Sequence, residues 1–243
     1  MNRPLVTVIT ATTGSDLLEQ NIQSIAQQTY SNLQHLVVVD GETHYKKASK
    51  NLLASNDIIV LPYATGTDQY NGHRIYGGCT YFAKGQFITY LDEDNWVEKN
   101  HIESLIECIE GDINKWAYSL RKIVDFSGNF ICNDDCENLG KWKSVLNDNF
   151  VDVNCYLFPR TIALQLSPLW FRRARHPDDQ PEVDRIISQT LFSSDIECET
   201  NGKYTVNYRA GNRADSVNAY FFIEGNKIMK KHYDKFPWRK YDT

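Results

Sequence analysis

Three consecutive carboxylates, Asp92, Glu93 and Asp94, are the residues of this sequence whose types and spacing most clearly suggest chemistry. They follow a short apolar segment in the stretch FITYLDEDNW, residues 87–96. In an extended chain, residues two apart project to the same side, so Asp92 and Asp94 can converge while Glu93 points away. Two carboxylates together with substrate phosphates are a typical ligand set for Mg²⁺ or Mn²⁺. The motif therefore predicts a metal-assisted nucleotide site, and a solvated acidic turn is the alternative.

The segments that must position these carboxylates show alternating strand and helix patterns in the first half of the chain. Their hydrophobic periodicity predicts strands at residues 5–10, 35–39, 58–61 and 87–91. It predicts helices at residues 17–26, 45–55, 69–84 and 101–109. Such alternation is typical of βαβ units, which build an α/β fold with a mostly parallel central sheet flanked by helices.

Polar residues follow three of the predicted strands. Residues 10–13, the pair Asp40 and Gly41, and residues 92–94 each stand where a strand ends. Parallel sheets bind their ligands beyond the carboxyl ends of the strands. We therefore expect these three clusters to form the rim of one site.

The second half of the chain is less regular. Its patterns predict a hairpin at residues 116–126 and 130–131 and short strands at 154–157, 162–166 and 204–208. They also predict a helix at 181–192 and a C-terminal amphipathic helix at 214–232. Gly225 and Asn226 are expected to break the last helix, and the aromatic and basic residues after it are expected on the surface. No linker is visible, so we expect one domain with a mixed C-terminal half.

Composition excludes some classes of function. The 243 residues carry a net charge of -5, which argues against broad binding to nucleic acid, because that binding needs a positive field. No stretch reaches the roughly 20 apolar residues of a transmembrane helix, and the N-terminal residues do not read as a signal peptide. We therefore expect a cytoplasmic location. The six cysteines form no Cys-x-x-Cys pair and are expected to be free thiols.

Taken together, these segments resemble a GT-A fold glycosyltransferase, most closely the inverting family 2 group. The likeness rests on PLVTVITATTG near the start, on SIAQQTYSNLQHLVVVDG from the first helix into the second strand, and on GHRIYGGCTYFAKGQFITYLDEDNW, which ends in the Asp-x-Asp motif. It is thinner beyond Trp96. The resemblance implies a single GT-A domain in which residues 1–97 bind a nucleotide sugar. Residues 98–243 would then supply the acceptor site, the catalytic residues and a helical tail.

The resemblance also implies which residues bind the donor. Those implied to contact the nucleotide sugar are Thr10, Ala11, Thr12, Asp40, Arg74, Asp92 and Glu93. Asp40 would hydrogen-bond the base, and the alternative for it is a turn acid before Gly41. Arg74 would lie near base or phosphate, and the alternative is a solvent-facing cation. Asp94 would be the more direct ligand of Mn²⁺ or Mg²⁺, and Asp92 would share the metal and lie near the ribose.

Transfer of a sugar from a nucleoside diphosphate breaks the anomeric C–O bond and leaves negative charge on the β-phosphate, which a divalent ion stabilises as a Lewis acid. An inverting enzyme also needs a carboxylate as general base on the opposite face of the sugar. Relatives supply this base from a Glu-Asp pair ahead of a helix. Here Asp179 matches the base and Asp178 replaces the glutamate, so the choice between them stays open.

Helix capping is the alternative role for that pair, because carboxylates stabilise helix N-termini. Asp134 and Asp135 form a rival pair that is expected to face water. Asp152 and Asn154, in VDVNCYLFPR, are expected to line the sugar pocket, because short polar groups between apolar neighbours suit hydroxyl recognition. The alternative for these two is a polar strand edge.

The resemblance thus implies a metal-dependent, hexosyltransferase-type enzyme that moves a sugar from a UDP-sugar to a saccharide or other hydroxyl acceptor. A sugar-phosphate nucleotidyltransferase would also use paired acids and a metal, but no glycine-rich, lysine-bearing loop follows the first strand. A non-catalytic nucleotide- or carbohydrate-binding module is the third alternative.

Overall fold

The computed structural model describes residues 3–172, 183–211 and 217–240. The strands in these ranges are β1 Val6–Thr12, β2 Leu33–Val39, β3 Asp57–Val60, β4 Phe87–Tyr90, β5 Trp96–Val97, β6 Trp116–Val124, β7 Phe130–Asn133, β8 Tyr156–Pro159 and β9 Cys198–Arg209. The helices are α1 Leu18–Ala26, α2 Glu42–Ala48, α3 His73–Cys79, α4 His101–Cys108, α5 Arg160–Leu166, α6 Val183–Phe192 and α7 Ala219–His232.

The strands form one nine-stranded sheet in the order β3-β2-β1-β4-β8-β6-β9-β5, with β7 added beside β6. The predicted parallel part is confirmed, because β1 pairs in parallel with β2 and β4, and β2 pairs in parallel with β3. β8 runs antiparallel to both β4 and β6 and therefore joins the two halves of the chain. The carboxyl ends of β1, β2 and β4 lie at one edge.

The first-half helices form because their apolar residues recur at helical spacing, as Leu18, Ile22 and Ile25 do on the buried side of α1. α3 begins at His73 rather than at residue 69. Asp68, Gln69 and Asn71 adopt positive φ angles, which a right-handed helix does not allow. α2 is also shorter than predicted and ends at Ala48.

Two predictions for the second half were wrong. Residues 162–166 belong to α5 rather than to a strand, because Ile162, Ala163 and Leu166 are buried at helical spacing. α7 continues through Gly225, where the glycine serves close packing: a Cβ there would lie 2.6 Å from Cys136 Sγ. The predicted hairpin is confirmed by the antiparallel pairing of β6 and β7.

Three hydrophobic clusters support the sheet in the described ranges. The largest one spans both halves of the chain across β1, β4, β8 and β6. A second lies under α7 and includes Phe222 and Trp238. The third packs α1 and α2 against β2. Trp238 is fully buried, so the C-terminal tail is not the purely surface segment that we expected.

In the ranges described, no helix is long and apolar enough to cross a membrane, and the predicted cytoplasmic location stays a prediction. All six cysteines are free, as expected.

Candidate active site

A cavity of about 550 Å³ opens at the carboxyl ends of β1, β2 and β4. This volume lies in the range of small-ligand sites, roughly 300–1,000 Å³. Polar side chains from all three predicted clusters line it, and others come from the second half of the chain. The predicted site residues in its wall are Ala11, Thr12, Asp40, Asp92, Glu93, Asp94 and Asp152.

Asp92 is held in place from two sides of the cavity. Tyr76, on α3, donates its hydroxyl to Asp92 Oδ1 at 2.5 Å. Asn154 donates its side-chain amide to Asp92 Oδ2 at 2.9 Å, and its Oδ1 accepts from the backbone N–H of Asp92 at 2.7 Å. The side chain of Asn154 is fully buried, so it orients Asp92 and does not line the cavity.

The pKa of Asp92 is raised to about 7, mainly by burial and also by the neighbouring charge of Asp94. The hydrogen bonds from Tyr76 and Asn154 oppose this shift because they stabilise the carboxylate. A bound cation would relieve the same electrostatic cost. This carboxyl group is therefore placed where a positive charge would be favourable.

Asp92 and Asp94 fit a divalent ion only together with further oxygen ligands. Within the described ranges, no group of three or more His, Cys, Asp or Glu side chains could hold a metal ion by itself. Mg²⁺ in nucleotide sites takes one or two carboxylates, and the substrate phosphates and water complete its coordination. The two carboxylates suit that arrangement, with a diphosphate as the partner.

Glu93 turns away from Asp92 and Asp94 into the loop after β1. Its carboxylate accepts hydrogen bonds from Thr12 Oγ1 at 2.5 Å, Thr13 Oγ1 at 2.9 Å and Ser15 N at 2.9 Å. Both of its oxygens are therefore used within the protein. The geometry gives Glu93 a positioning role for this loop, and its expected contact with the donor stays a prediction.

Asp40 closes β2 and shapes the neighbouring loop. Its carboxylate accepts from Thr65 N at 2.6 Å, Thr65 Oγ1 at 2.9 Å and Gly66 N at 2.9 Å. Gly41 follows at a φ of 107°, a turn that favours glycine. Asp40 also lines the cavity, and its expected hydrogen bond to the base stays a prediction.

Arg74 supports the same loop from outside the cavity wall. Its guanidinium donates to the carbonyl of Thr65 at 2.9 Å and lies 3.8 Å from the ring centre of Tyr70. It does not line the cavity. This placement does not match a purely solvent-facing role, and the expected position near base or phosphate stays a prediction.

Thr10 faces the interior rather than the cavity. It is fully buried, donates to Asn21 Oδ1 at 3.3 Å and lies 3.0 Å from His35 Nε2. Burial lowers the pKa of His35 to about 3, so this imidazole is neutral. Asn21 in turn donates to the backbone carbonyl of Asp92 at 2.8 Å. Thr10 therefore reaches the Asp-x-Asp turn only through Asn21.

Asp152 lines the cavity and is held by a buried arginine. Arg121 donates to Asp152 Oδ2, to Asp134 Oδ2 at 2.8 Å and to Glu137 Oε2 at 2.6 Å. Burial raises the pKa of Glu137 to about 7, while Arg121 opposes that shift. This network fixes the side of Asp152 that faces away from the cavity.

The expectation that Asp134 and Asp135 face water was wrong. Both are buried, Asp134 against Arg121 and Asp135 against Trp238, whose Nε1 donates to Asp135 Oδ1 at 2.8 Å. Their sequence pattern resembled a turn because the carboxylates follow a hairpin strand. Their burial is possible because cationic and N–H donors from distant segments satisfy them.

The expected catalytic pair, Asp178 and Asp179, lies outside the described residues. A carboxylate that we did not single out, Asp184 on the first turn of α6, lines the cavity instead. His73 at the start of α3 also lines it, and within the described ranges its buried Nδ1 has no hydrogen-bond partner. The sequence offered one signal for Asp184: it is an acidic residue in the first turn of a helix with a buried apolar face.

Arg209, at the end of β9, closes the cavity beside the Asp-x-Asp turn. Its backbone N–H donates to Asn95 Oδ1 at 3.0 Å and its guanidinium donates to the carbonyl of Asp94. The same guanidinium lies 4.5 Å from the ring centre of Trp96. Among the lining residues that the structure describes, Arg209 is the one arginine or lysine, against six carboxylates.

Comparisons with known proteins agree with this architecture. Residues 7–125 match the family model described as glycosyl transferase family 2. An uncharacterized glycosyltransferase of Haemophilus influenzae is 29% identical over 132 residues, which are 54% of this chain and 52% of that protein. The chain thus spans about half the length of this curated relative.

Solved structures show the same fold. Residues 1–349 of S. aureus TarS superimpose with a TM-score of 0.61 at 14% identity, covering 84% of this chain and 60% of that one. The same protein in complex with UDP-GlcNAc gives a TM-score of 0.63 at 13% identity, covering 93% and 65% of the two chains. The predicted GT-A fold is therefore confirmed.

Proposed function

We propose that this chain, a family 2-like glycosyltransferase of the GT-A fold, moves a hexose from a nucleoside-diphosphate sugar to a hydroxyl acceptor, with inversion and with the help of Mn²⁺ or Mg²⁺. The family is supported by the match over residues 7–125. The donor class is supported by the similarity to TarS, which has been solved with UDP and with UDP-GlcNAc. A UDP-sugar is therefore the donor that we propose.

The charge of the cavity is the observation that carries the metal-dependent part of the proposal. Asp40, Asp92, Asp94, Asp152 and Asp184 all line it, together with Glu93, and Arg209 is the one cationic Arg or Lys side chain in the described wall. A diphosphate that bound in this cavity without a cation would be repelled by these carboxylates. A divalent ion held by Asp92 and Asp94 would offset that repulsion.

The described residues divide the work of the reaction. Ala11, Thr12 and Asp40 form the wall for the nucleoside, and Asp94 and Asp92 would hold the ion, which would stabilise the charge of the departing diphosphate. Asp152, oriented by Arg121 and Asn154, would accept hydrogen bonds from hydroxyls of the transferred sugar. Residues 1–97 thus bind the donor and residues 98–243 complete the site.

The general base is proposed to be Asp179 or Asp178, which precede α6. Asp184 stands on the same helix and its side chain lines the cavity, so it is the described carboxylate that could take this role in their place. Each variant Asp178→Asn, Asp179→Asn and Asp184→Asn should still bind donor. The one that removes the base should lower turnover by about two to four orders of magnitude.

A panel of nucleotide sugars, with and without Mn²⁺, tests the donor and the ion together. Thermal melting of the wild type should rise only with a uridine nucleotide and the metal together, because a ligand that binds the folded state stabilises it. Asp94→Ala should remove this rise and the release of UDP. The matched control Asp16→Ala, an exposed aspartate outside the cavity wall, should keep both.

Full UDP release by Asp94→Ala in the presence of a chelator would contradict the metal role. Release of pyrophosphate rather than nucleoside diphosphate would instead identify a nucleotidyltransferase. Donor binding without any turnover, across all acceptors tested, would identify a binding module.

A further inference from the structure

A second cavity, of about 540 Å³, lies between α7 and the loop that carries Val145 and Leu146. We call it the α7 groove. Most of its wall is apolar, and its lining residues are Val145, Leu146, Asn218, Tyr220, Phe221, Glu224, Gly225 and Ile228. None of them has a role in the site described above.

Three large hydrophobic side chains of the α7 groove are exposed. Leu146 is 53% exposed, Tyr220 66% and Ile228 44%. A contiguous exposed apolar surface with a polar rim commonly marks a ligand or partner site. Single exposed apolar residues are ordinary, but here they converge on one concavity.

Contacts with Cys136 position both walls of the α7 groove. Phe222 and Met229 are buried under α7, and Gly225 lets the helix approach Cys136 closely. On the opposite wall, Val145 N donates to the carbonyl of Cys136 at 2.7 Å. Both walls of the α7 groove therefore contact Cys136.

Adjacent residues connect the α7 groove to the donor cavity. Val217 lines the donor cavity and Asn218 lines the α7 groove. Asn218 also caps α7, since its Oδ1 accepts from Tyr220 N at 2.8 Å. Gly211 N donates to the carbonyl of Val217 at 3.0 Å, which ties this junction to the end of β9 beside Arg209. A molecule in the α7 groove would therefore begin next to the wall of the donor site.

The chemistry of the lining selects the occupant. A sugar ring would need several hydrogen-bond partners, but Asn218 and Glu224 are the two side chains with polar groups at the rim besides the Tyr220 hydroxyl. A hydrocarbon chain needs apolar contact alone, and each methylene removed from water contributes about 0.8 kcal/mol. We propose that the α7 groove binds the hydrocarbon portion of the acceptor, whose hydroxyl end then extends past Asn218 and Val217 toward the donor.

This inference rests on the proposed function for the identity of the occupant as acceptor. It assigns the acceptor to the class of amphiphiles, in which an apolar aglycone carries the hydroxyl that is glycosylated. The donor cavity contributes specificity for the nucleotide sugar, and the α7 groove contributes affinity for the acceptor's apolar part.

Binding of alkyl glucosides tests the inference without turnover. Octyl glucoside, kept below its micelle concentration, should bind the full chain at least about tenfold more tightly than methyl glucoside in calorimetric titration, because its longer chain buries more methylenes. Leu146→Ser and Ile228→Ser should each remove most of this preference. Phe82→Ser, a residue 62% exposed outside the α7 groove, is the matched control and should retain it. All three positions are exposed, so we expect the variants to fold.

Equal binding of the two glucosides by the wild type would overturn the inference, as would an equal loss in Phe82→Ser. Two further outcomes would also overturn it: concentration-dependent dimerisation that Leu146→Ser abolishes, which would make the surface an interface between copies, and binding to lipid vesicles without binding of monomeric octyl glucoside.

Transfer assays then separate this inference from the proposed function. With UDP-sugar and Mn²⁺, alkyl acceptors should show a KM that falls with chain length in the wild type and much less in Leu146→Ser. Transfer with no dependence on chain length would overturn the proposed role of the α7 groove and leave the proposed function intact. Octyl glucoside binding without any response to uridine nucleotides overturns the acceptor assignment through the proposed function.

Discussion

At Asp92, burial and a neighbouring charge act against the hydrogen bonds that stabilise the carboxylate. Its pKa is raised to about 7 by burial and by Asp94, while Tyr76 and Asn154 stabilise its charged form. The shared orientation of Asp92 and Asp94 could be predicted from the two-residue period of an extended chain. The partners could not, because Tyr76 and Asn154 lie on α3 and before β8 and meet Asp92 only in the folded chain.

Replacing Asn154 by alanine tests this positioning. Asn154 Nδ2 donates to both Asp92 Oδ2, at 2.9 Å, and Asp152 Oδ1, at 2.8 Å, so its loss leaves two carboxylates without their shared donor. We expect kcat/KM for donor turnover to fall about a hundredfold and the unfolding free energy to fall by about 1–3 kcal/mol. Asn114→Ala, an exposed asparagine bonded to Asp112, is the control. Unchanged kinetics in Asn154→Ala would contradict the positioning role.

Buried histidines join neighbouring elements. His35 on β2 lies against Thr10 of β1, and His101 at the start of α4 lies 2.7 Å, Nδ1 to Oγ1, from Thr205 of β9. Burial lowers the pKa of each to about 3. The existence of these elements could be predicted from apolar periodicity. The histidine contacts could not, because one joins segments 104 residues apart.

Acid conditions should reveal this burial. Below pH 6.5 the unfolded chain binds a proton at His101 that the folded chain does not, so folding stability attributable to this residue falls as pH falls toward 3. Asp92 and Glu137 act in the opposite sense, since their raised pKa values remove stability as pH rises from about 4 to about 7. The effect of His101 is therefore measured as the difference in unfolding free energy between the wild type and a His101 variant.

Relative to the wild type, His101→Asn should gain about 2–3 kcal/mol of unfolding free energy between pH 7.5 and pH 4.5. Urea unfolding at the two pH values measures this difference. A pH-independent difference would show that His101 is protonated inside the folded protein.

At the scale of the whole molecule, β8 joins the two halves of the chain into one sheet, and the C-terminal tail packs against the second half. The α/β class and the first four strands could be predicted because their signals are local. The second half could not be predicted as well, because β6 pairs with β9 across a long stretch of chain and the buried charges around Arg121 come from several elements. From the sequence alone, the acidic residues around Arg121 would be assigned to the surface.

The tail supplies a further test at this scale. Trp238 is fully buried, stacks on Phe236 with ring centres 4.9 Å apart and donates to Asp135. Trp238→Ala should lower the unfolding free energy by about 3–5 kcal/mol, because it leaves a cavity and removes one of the hydrogen bonds to the buried carboxylate of Asp135. Tyr63→Ala, at a side chain 80% exposed, should change it by less than about 0.5 kcal/mol. A loss below about 1 kcal/mol in Trp238→Ala, measured by urea unfolding, would contradict the role of the tail.

The most direct measurement of the central claim is anomalous diffraction from a crystal grown with UDP and Mn²⁺. The account predicts one manganese ion bound by Asp94, with Asp92 beside it, and by oxygens of the diphosphate, at distances of about 2.0–2.3 Å. A diphosphate bound with no ion at Asp92 and Asp94, or a manganese peak elsewhere in the molecule, would contradict it.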